Sequence, residues 1–299
     1  MHKYLRAVGF SNITSKKELQ KLVKKTVQKA SEKSYTSVDG SMDNDNLYAE
    51  YRAEFGDRIG ICVRGEYDEN NAFSYDYCFP YLKGDKVSSI EDLSVEQHIE
   101  KLSFAGIVDD YKVGISVIFY LQNIITYMKL DNTNRLPVQG TTLTLSGLSD
   151  NGKILLPIRK NKHDIQRIQN YNYNKSQMLA AARSGDEEAM ENLTIEDMDT
   201  YSVIQKRIHN EDVLSLVDTY FMPYGVECDL YSILGEIISC ETVQNNLTGE
   251  QIYILGLNVN DLIFDICINQ QDMLGEPAVG RRFKGVIWLQ GYINYPEEL

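Results

Sequence analysis

The sequence predicts an α+β protein in which two antiparallel β regions are joined by a helical segment. Three observations carry that expectation: apolar and aromatic residues recur every second position from Leu47 to Leu82, helical spacing takes over between Ser176 and Ile208, and short β-rich runs return after Val217. At 299 residues the chain exceeds the usual size of one domain. Residues 1–165 are therefore expected to form an amino-terminal α+β domain with a lysine-rich helix. Residues 166–299 are expected to form a helical segment followed by a carboxy-terminal antiparallel sheet or small barrel. Hydrophobic residues at 43% and charged residues at 24% supply a core and exclude a mainly disordered chain.

The first element is a helix. Ser15 and Glu18 have the spacing of a capping box, and Leu19, Leu22, Val23, Val27 and Ala30 follow at helical intervals. Between Ser15 and Lys33 stand seven lysines against two glutamates. Such a face reads as a membrane-surface helix, a docking arm for an acidic partner or, most plainly, a solvated surface. Leu47–Phe55, Ile59–Tyr67 and Phe73–Leu82 then read as strands, with turns at Gly56-Asp57 and Asp68–Asn71. Their many aromatics suit cross-strand packing. Val87–Gly106 is an acidic connection with a short element around Val95–Leu102. From Lys112 a strand passes into a helix ending near Leu130, because Val117, Leu121, Ile124, Ile125 and Met128 keep a helical period.

Thr141–Ser146 and Lys153–Ile158 flank Ser149-Asp150-Asn151-Gly152, a strong hairpin signal. Gly147–Lys153 also spells the phosphate-loop spacing, but Ile154 stands where a magnesium-binding Ser or Thr belongs and a strand follows where a helix is needed. Arg159–Asn174 reads as a linker, and Ser176–Arg183, Asp186–Asn192 and Thr194–Ile208 as helices. Val217–Met222, Asp229–Cys240, Gln251–Leu257, Leu262–Asn269 and Arg282–Tyr292 close the chain as strands with tight antiparallel connections.

Charge and composition bound the function. A net charge of -13 argues against a nucleic-acid partner, whose phosphates must be neutralised by cations. Val113–Leu130, the most apolar stretch, is broken by Gln122, Asn123 and Lys129, so no membrane span is expected. The amino terminus lacks the apolar run of a signal peptide, and the five cysteines are odd in number without a Cys-x-x-Cys pair. These features suit a cytoplasmic protein with thiols acting as small hydrophobes. The four histidines have no partner at metal-ligand spacing, so neither a metal nor a cofactor is expected.

Leu179–Asp186, Met222–Asp229 and Gly275–Gly291 resemble stretches of an uncharacterised bacterial family of about 300 residues, of the clostridial type, and His2–Phe10 and Leu155–Ile158 fit it too. The resemblance implies a bacterial, cytoplasmic protein and no assigned activity.

Two groups of residues carry chemistry. Arg281, Arg282 and Lys284, after Gly280, could hold a carboxylate or phosphate through forked guanidinium donors beside a pliant backbone. Glu227 and Asp229 flank Cys228 on what reads as one strand face, available for acid–base work or as acidic partners of the arginines. Trp288, the only tryptophan, is expected to anchor the core. The leading expectation is a binding or adaptor protein for an unknown protein or small anionic ligand. The alternative is a hydrolase or transferase acting on an anionic small molecule.

Overall fold

The computed structural model describes residues 2–37, 47–68, 70–97, 103–110, 112–158 and 217–296. A 3-10 turn, Lys3–Val8, leads into helix α1, Lys16–Lys29. Ser15 and Glu18 form the expected capping box, and Leu22, Val23 and Thr26 are buried. Strands β1 (Glu32–Ser37), β2 (Leu47–Gly56), β3 (Ile59–Tyr67) and β4 (Phe73–Leu82) make an antiparallel sheet in chain order. Its second hairpin turns where Asp68 Oδ1 accepts the amide protons of Asn70 and Ala72.

Next come β5 (Leu93–Gln97), β6 (Phe104–Asp110), β7 (Ile115–Leu121), helix α2 (Ile124–Asn132) and β8 (Thr142–Leu155). The later strands are β9 (Tyr220–Pro223), β10 (Leu230–Gln244), β11 (Gln251–Val259), β12 (Leu262–Asn269), β13 (Met273–Leu274) and β14 (Arg282–Asn294). Five of them close a barrel in the order β8-β12-β11-β10-β14, because β14 pairs with both β10 and β8. Closure leaves these strands no open edge. Alternate residues fill the interior, among them Ile233, Leu257, Phe264, Phe283, Ile287 and Leu289, each fully buried. Off β14, the strands β7, β6 and β5 extend the sheet, and the Phe119 ring on β7 lies against Gly106 and Gly291, where a β-carbon would come within 2.1 and 2.3 Å of it.

This architecture corrects the expected fold class. The described residues are mostly strand, with a five-stranded barrel and a separate sheet, rather than two antiparallel regions joined by helices. The sheet is also mixed, since β8 runs parallel to β12 and β14 parallel to β7. The misleading signal was Ser149-Asp150-Asn151-Gly152. Instead of reversing the chain, it forms a bulge inside one 14-residue strand: β8 takes three steps from Ser149 to Gly152 while β14 takes two from Gly285 to Ile287. The Ser149 hydroxyl lies 2.8 Å from the carbonyl oxygens of both Asn151 and Val286, and Gly152 leaves room for the Phe283 ring, 2.4 Å from where its β-carbon would stand. The expected linker and helices between Arg159 and Ile208, and the boundary at residues 165 and 166, lie outside the described residues. On either side of that stretch, β8 and β10, β11, β12 and β14 contribute to one barrel.

The four-stranded sheet packs across the outer wall of the barrel, and the seam between them is charged. β2 turns Ala49, Tyr51, Ala53 and Phe55 into the core that includes α1 residues Leu22 and Val23, which leaves Glu50 and Arg52 on its other face. There Glu50 accepts from Arg52 Nε and Arg64 Nε, both at 2.7 Å. Arg64 Nη1 donates to the Tyr120 hydroxyl at 2.7 Å, and both guanidinium groups donate to the Gln122 carbonyl. Gln122 Nε2 and Gln290 Nε2 continue the network to the Leu82 and Pro80 carbonyls. Burial works to raise the Glu50 pKa, but the charges of Arg52 and Arg64 and their hydrogen bonds outweigh it and hold the carboxyl at about 2. A second tie comes from Arg58, at φ 62° in the β2–β3 turn, whose guanidinium reaches Asp265 at 2.8 Å and Glu241 at 3.1 Å.

Candidate functional site

The basic turn predicted from sequence is divided by the structure. Arg282 is buried and its guanidinium faces inward to two carbonyl oxygens: Nε and Nη2 donate to Leu156 at 3.1 Å, and Nη1 donates to Val217 at 2.9 Å. One side chain thus holds together two points 61 residues apart in the chain. Arg281 donates to the Glu276 carbonyl at 2.6 Å, and half-buried Lys284 lies on β14 opposite Leu234 and Lys153. Charge-assisted bonds of this kind contribute roughly 1.5–3 kcal/mol each. Arg282→Lys, which keeps the charge but loses the fork, is expected to lower unfolding stability in urea by about 1–2 kcal/mol, whereas Arg281→Lys leaves it nearly unchanged. Equal effects would show that the fork is immaterial.

Glu227 and Asp229 lie at the other end of the same ladder. Leu230 pairs with Trp288 and Glu236 with Arg282, so at about 3.3 Å per residue the acidic residues stand roughly 20 Å from Arg282. Asp229 instead accepts from the indole N–H of Trp288 at 2.7 Å, which meets the one polar demand of the tryptophan. Glu227 is exposed in the β9–β10 loop, and so is Cys228, which the sequence reading had placed among hydrophobes.

Around Trp288 the structure assembles groups that the sequence reading left apart. The His2 ring lies 4.3 Å from the indole and 6.1 Å from Tyr77, and Tyr4 stacks on Trp288 at 5.7 Å. Burial, then the positive charges of the amino terminus and Lys3, lower the His2 pKa to about 4, so its imidazole is neutral near pH 7. Burial, then the carboxylates Asp150, Glu227 and Asp229, raise that of Tyr4 and keep its hydroxyl protonated. Among the described residues, neither His2 Nδ1 nor the Tyr4 hydroxyl has a hydrogen-bond partner, although both atoms are buried. Such orphaned atoms are uncommon in folded proteins.

Beside them opens a cleft of about 290 Å³ lined by His2, Lys3, Arg6, Phe10, Ser11 and Asp150 among others. Lys3, one of the lining residues, carries its ammonium 4.7 Å above the Tyr4 ring and 3.6 Å from Asp150. The wall is firmly held: Arg6 pairs with Asp272, Asn245 Nδ2 donates to the Val8 carbonyl, and Thr248 Oγ1 donates to that of Gly9. Gly9 is required there, since it has φ 88° and a β-carbon would stand 2.7 Å from Asn245. An ammonium is held here by the Asp150 carboxylate and the face of the Tyr4 ring, as that of Lys3 is, with the unpartnered His2 Nδ1 in a residue of the lining. Among the described residues there is no cluster of side chains able to hold a metal ion, and no helix is long and apolar enough to cross a membrane.

Sequence reasoning missed this site because a single 3-10 turn has no periodicity to detect. The available signal was local: His2, Lys3, Tyr4 and Arg6 crowd against Leu5, Ala7 and Val8 before Gly9-Phe10.

A closed barrel carrying a separate sheet and an amino-terminal cleft defines the class of molecule by shape alone. The chain belongs to the family DUF3881, described as "Domain of unknown function, E. rectale Gene description", whose model matches residues 5–291. That agrees with the resemblance to an uncharacterised clostridial-type family. No curated protein and no solved structure matches the chain.

Proposed function

We propose that the chain is a cytoplasmic binding protein whose amino-terminal cleft takes a small amine-bearing ligand. The reading rests on one observation: the buried His2 Nδ1 stands without a partner in a residue that lines the cleft together with Lys3 and Asp150, and the neighbouring Tyr4, under the Lys3 ammonium, carries a second unpartnered buried hydroxyl. A ligand amine replacing Lys3 on Asp150 would find a carboxylate, an aromatic face and a hydroxyl in one place. The cytoplasmic setting is in keeping with five cysteines that are all free thiols. The alternative, a hydrolase or transferase acting on an anion at Arg281, Arg282 and Lys284, has less behind it because the Arg282 fork is spent on Leu156 and Val217.

Thermal and chemical denaturation over a panel of primary amines and polyamines tests the proposal. An amine at about 100 times its dissociation constant adds roughly 2.7 kcal/mol of stability. Tyr4→Phe is expected to stabilise the ligand-free protein by about 1 kcal/mol, by removing an unsatisfied hydroxyl, and to abolish or sharply weaken the amine response. The proposal fails if no amine stabilises the wild type, or if the variant responds as the wild type does.

A further inference from the structure

We infer that the exposed face of α1 docks the protein on a membrane surface rich in acidic phospholipid. The observation is independent of the cleft. Leu22, Val23 and Thr26 fix which side of α1 is buried, and at 100° per residue Lys17, Lys21 and Lys24 fall on the opposite side, all three exposed. Lys16 and Lys29 are also exposed, at the two ends of the helix and nearer its buried side. Among the described residues none of the six α1 lysines is ion-paired, although Lys83, Lys86, Lys112, Arg58 and Arg64 each have a carboxylate within 4.0 Å. In a chain of net charge -13, these lysines gather on one short helix as a local positive surface without ion pairs among the described residues.

Three features select an acidic lipid surface over other polyanions. The apolar side of α1 is committed to the core with Tyr51, Ala53 and Phe55, so the helix cannot insert and its contact is electrostatic. The row contains lysine only, with no arginine fork for individual phosphates and no aromatic ring for base stacking, which disfavours nucleic acid. On a straight 14-residue helix the row Lys17, Lys21, Lys24 runs along about 10 Å, so that a plane of charge touches all three at once. The acidic remainder does not cancel the attraction, because charges more than about 8 Å from the surface are screened at physiological salt. The cytoplasmic leaflet carries such a surface.

The test measures co-sedimentation of the full chain with phosphatidylcholine vesicles, with and without phosphatidylserine, at about 0.15 M salt. Binding is expected only with phosphatidylserine, to weaken as salt rises, and to fall about 100-fold in Lys17→Glu/Lys21→Glu/Lys24→Glu, each charge near the surface being worth several-fold. A control of equal net charge, Lys129→Glu/Arg135→Glu/Lys153→Glu, changes three exposed residues elsewhere and is expected to bind much more tightly than the α1 variant. Circular dichroism and melting confirm that both variants fold. Absence of phosphatidylserine-dependent binding overturns the inference, as does equal loss in the two variants or tighter binding to RNA than to the vesicles.

Discussion

Glu50→Gln is expected to lower the unfolding free energy by about 3–5 kcal/mol, the cost of leaving buried charge uncompensated. Arg52, Arg64 and Glu50 are all at least nine-tenths buried, and one carboxylate serves two guanidinium groups. Without it, the arginines keep the Gln122 carbonyl and the Tyr120 hydroxyl but lose their counter-charge. The pH dependence gives a second readout. The Glu50 pKa is lowered on folding from 4.5 to about 2. Its contribution is therefore complete above pH 4.5 and is lost as pH falls toward 2. With about 1.36 kcal/mol per pKa unit, the linked loss is on the order of 3 kcal/mol. Urea midpoints measured across that window should show this step in the wild type and not in Glu50→Gln. A variant that keeps both the stability and the acid step would place the stabilising carboxylate elsewhere.

The second large effect concerns the junction of β7 with the barrel. Gly291→Ala places a methyl group 2.3 Å from the Phe119 ring, and Gly106→Ala places one 2.1 Å from it. Phe119 is fully buried, so it cannot yield without disturbing Val117 and Leu121 of its own strand, also fully buried. Overpacking of this kind costs about 1–3 kcal/mol. Phe119→Leu leaves a gap and is also expected to destabilise, yet Gly291→Ala/Phe119→Leu should lose less than the two single changes together, with a coupling of about 1 kcal/mol or more. Additive losses in a double-mutant cycle would mean that the close approach is not what demands glycine.

The strands were legible wherever one face was apolar. Leu47–Phe55, Ile59–Tyr67, Phe73–Leu82 and Leu262–Asn269 sit close to β2, β3, β4 and β12, because alternation survives any choice of partner. The passage from strand to helix between Lys112 and Leu130 appears as β7 followed by α2, although Val117 and Leu121, counted in the helical period, belong to the strand. Barrel closure was not legible, since pairing between β8 and β14 joins residues far apart in sequence and leaves no local trace. The charged seam was hidden by a different effect. In Tyr48-Ala49-Glu50-Tyr51-Arg52-Ala53 the charges alternate with apolar residues as they would on a solvated sheet, and only the barrel beyond them turns that face into an interior. For the candidate site, Asp229 was expected as an acidic partner of the basic turn and Trp288 as a core anchor; their partnership with each other depends on the β10–β14 register, which the sequence does not state.

The Arg282 fork has a mechanical meaning beyond its separate bonds. By seating the Leu156 and Val217 carbonyls on one guanidinium, the barrel sends the chain out and receives it back at a single port. Loss of that one side chain therefore releases both points at once, so its effect on unfolding is shared by β14, the end of β8 and the approach to β9.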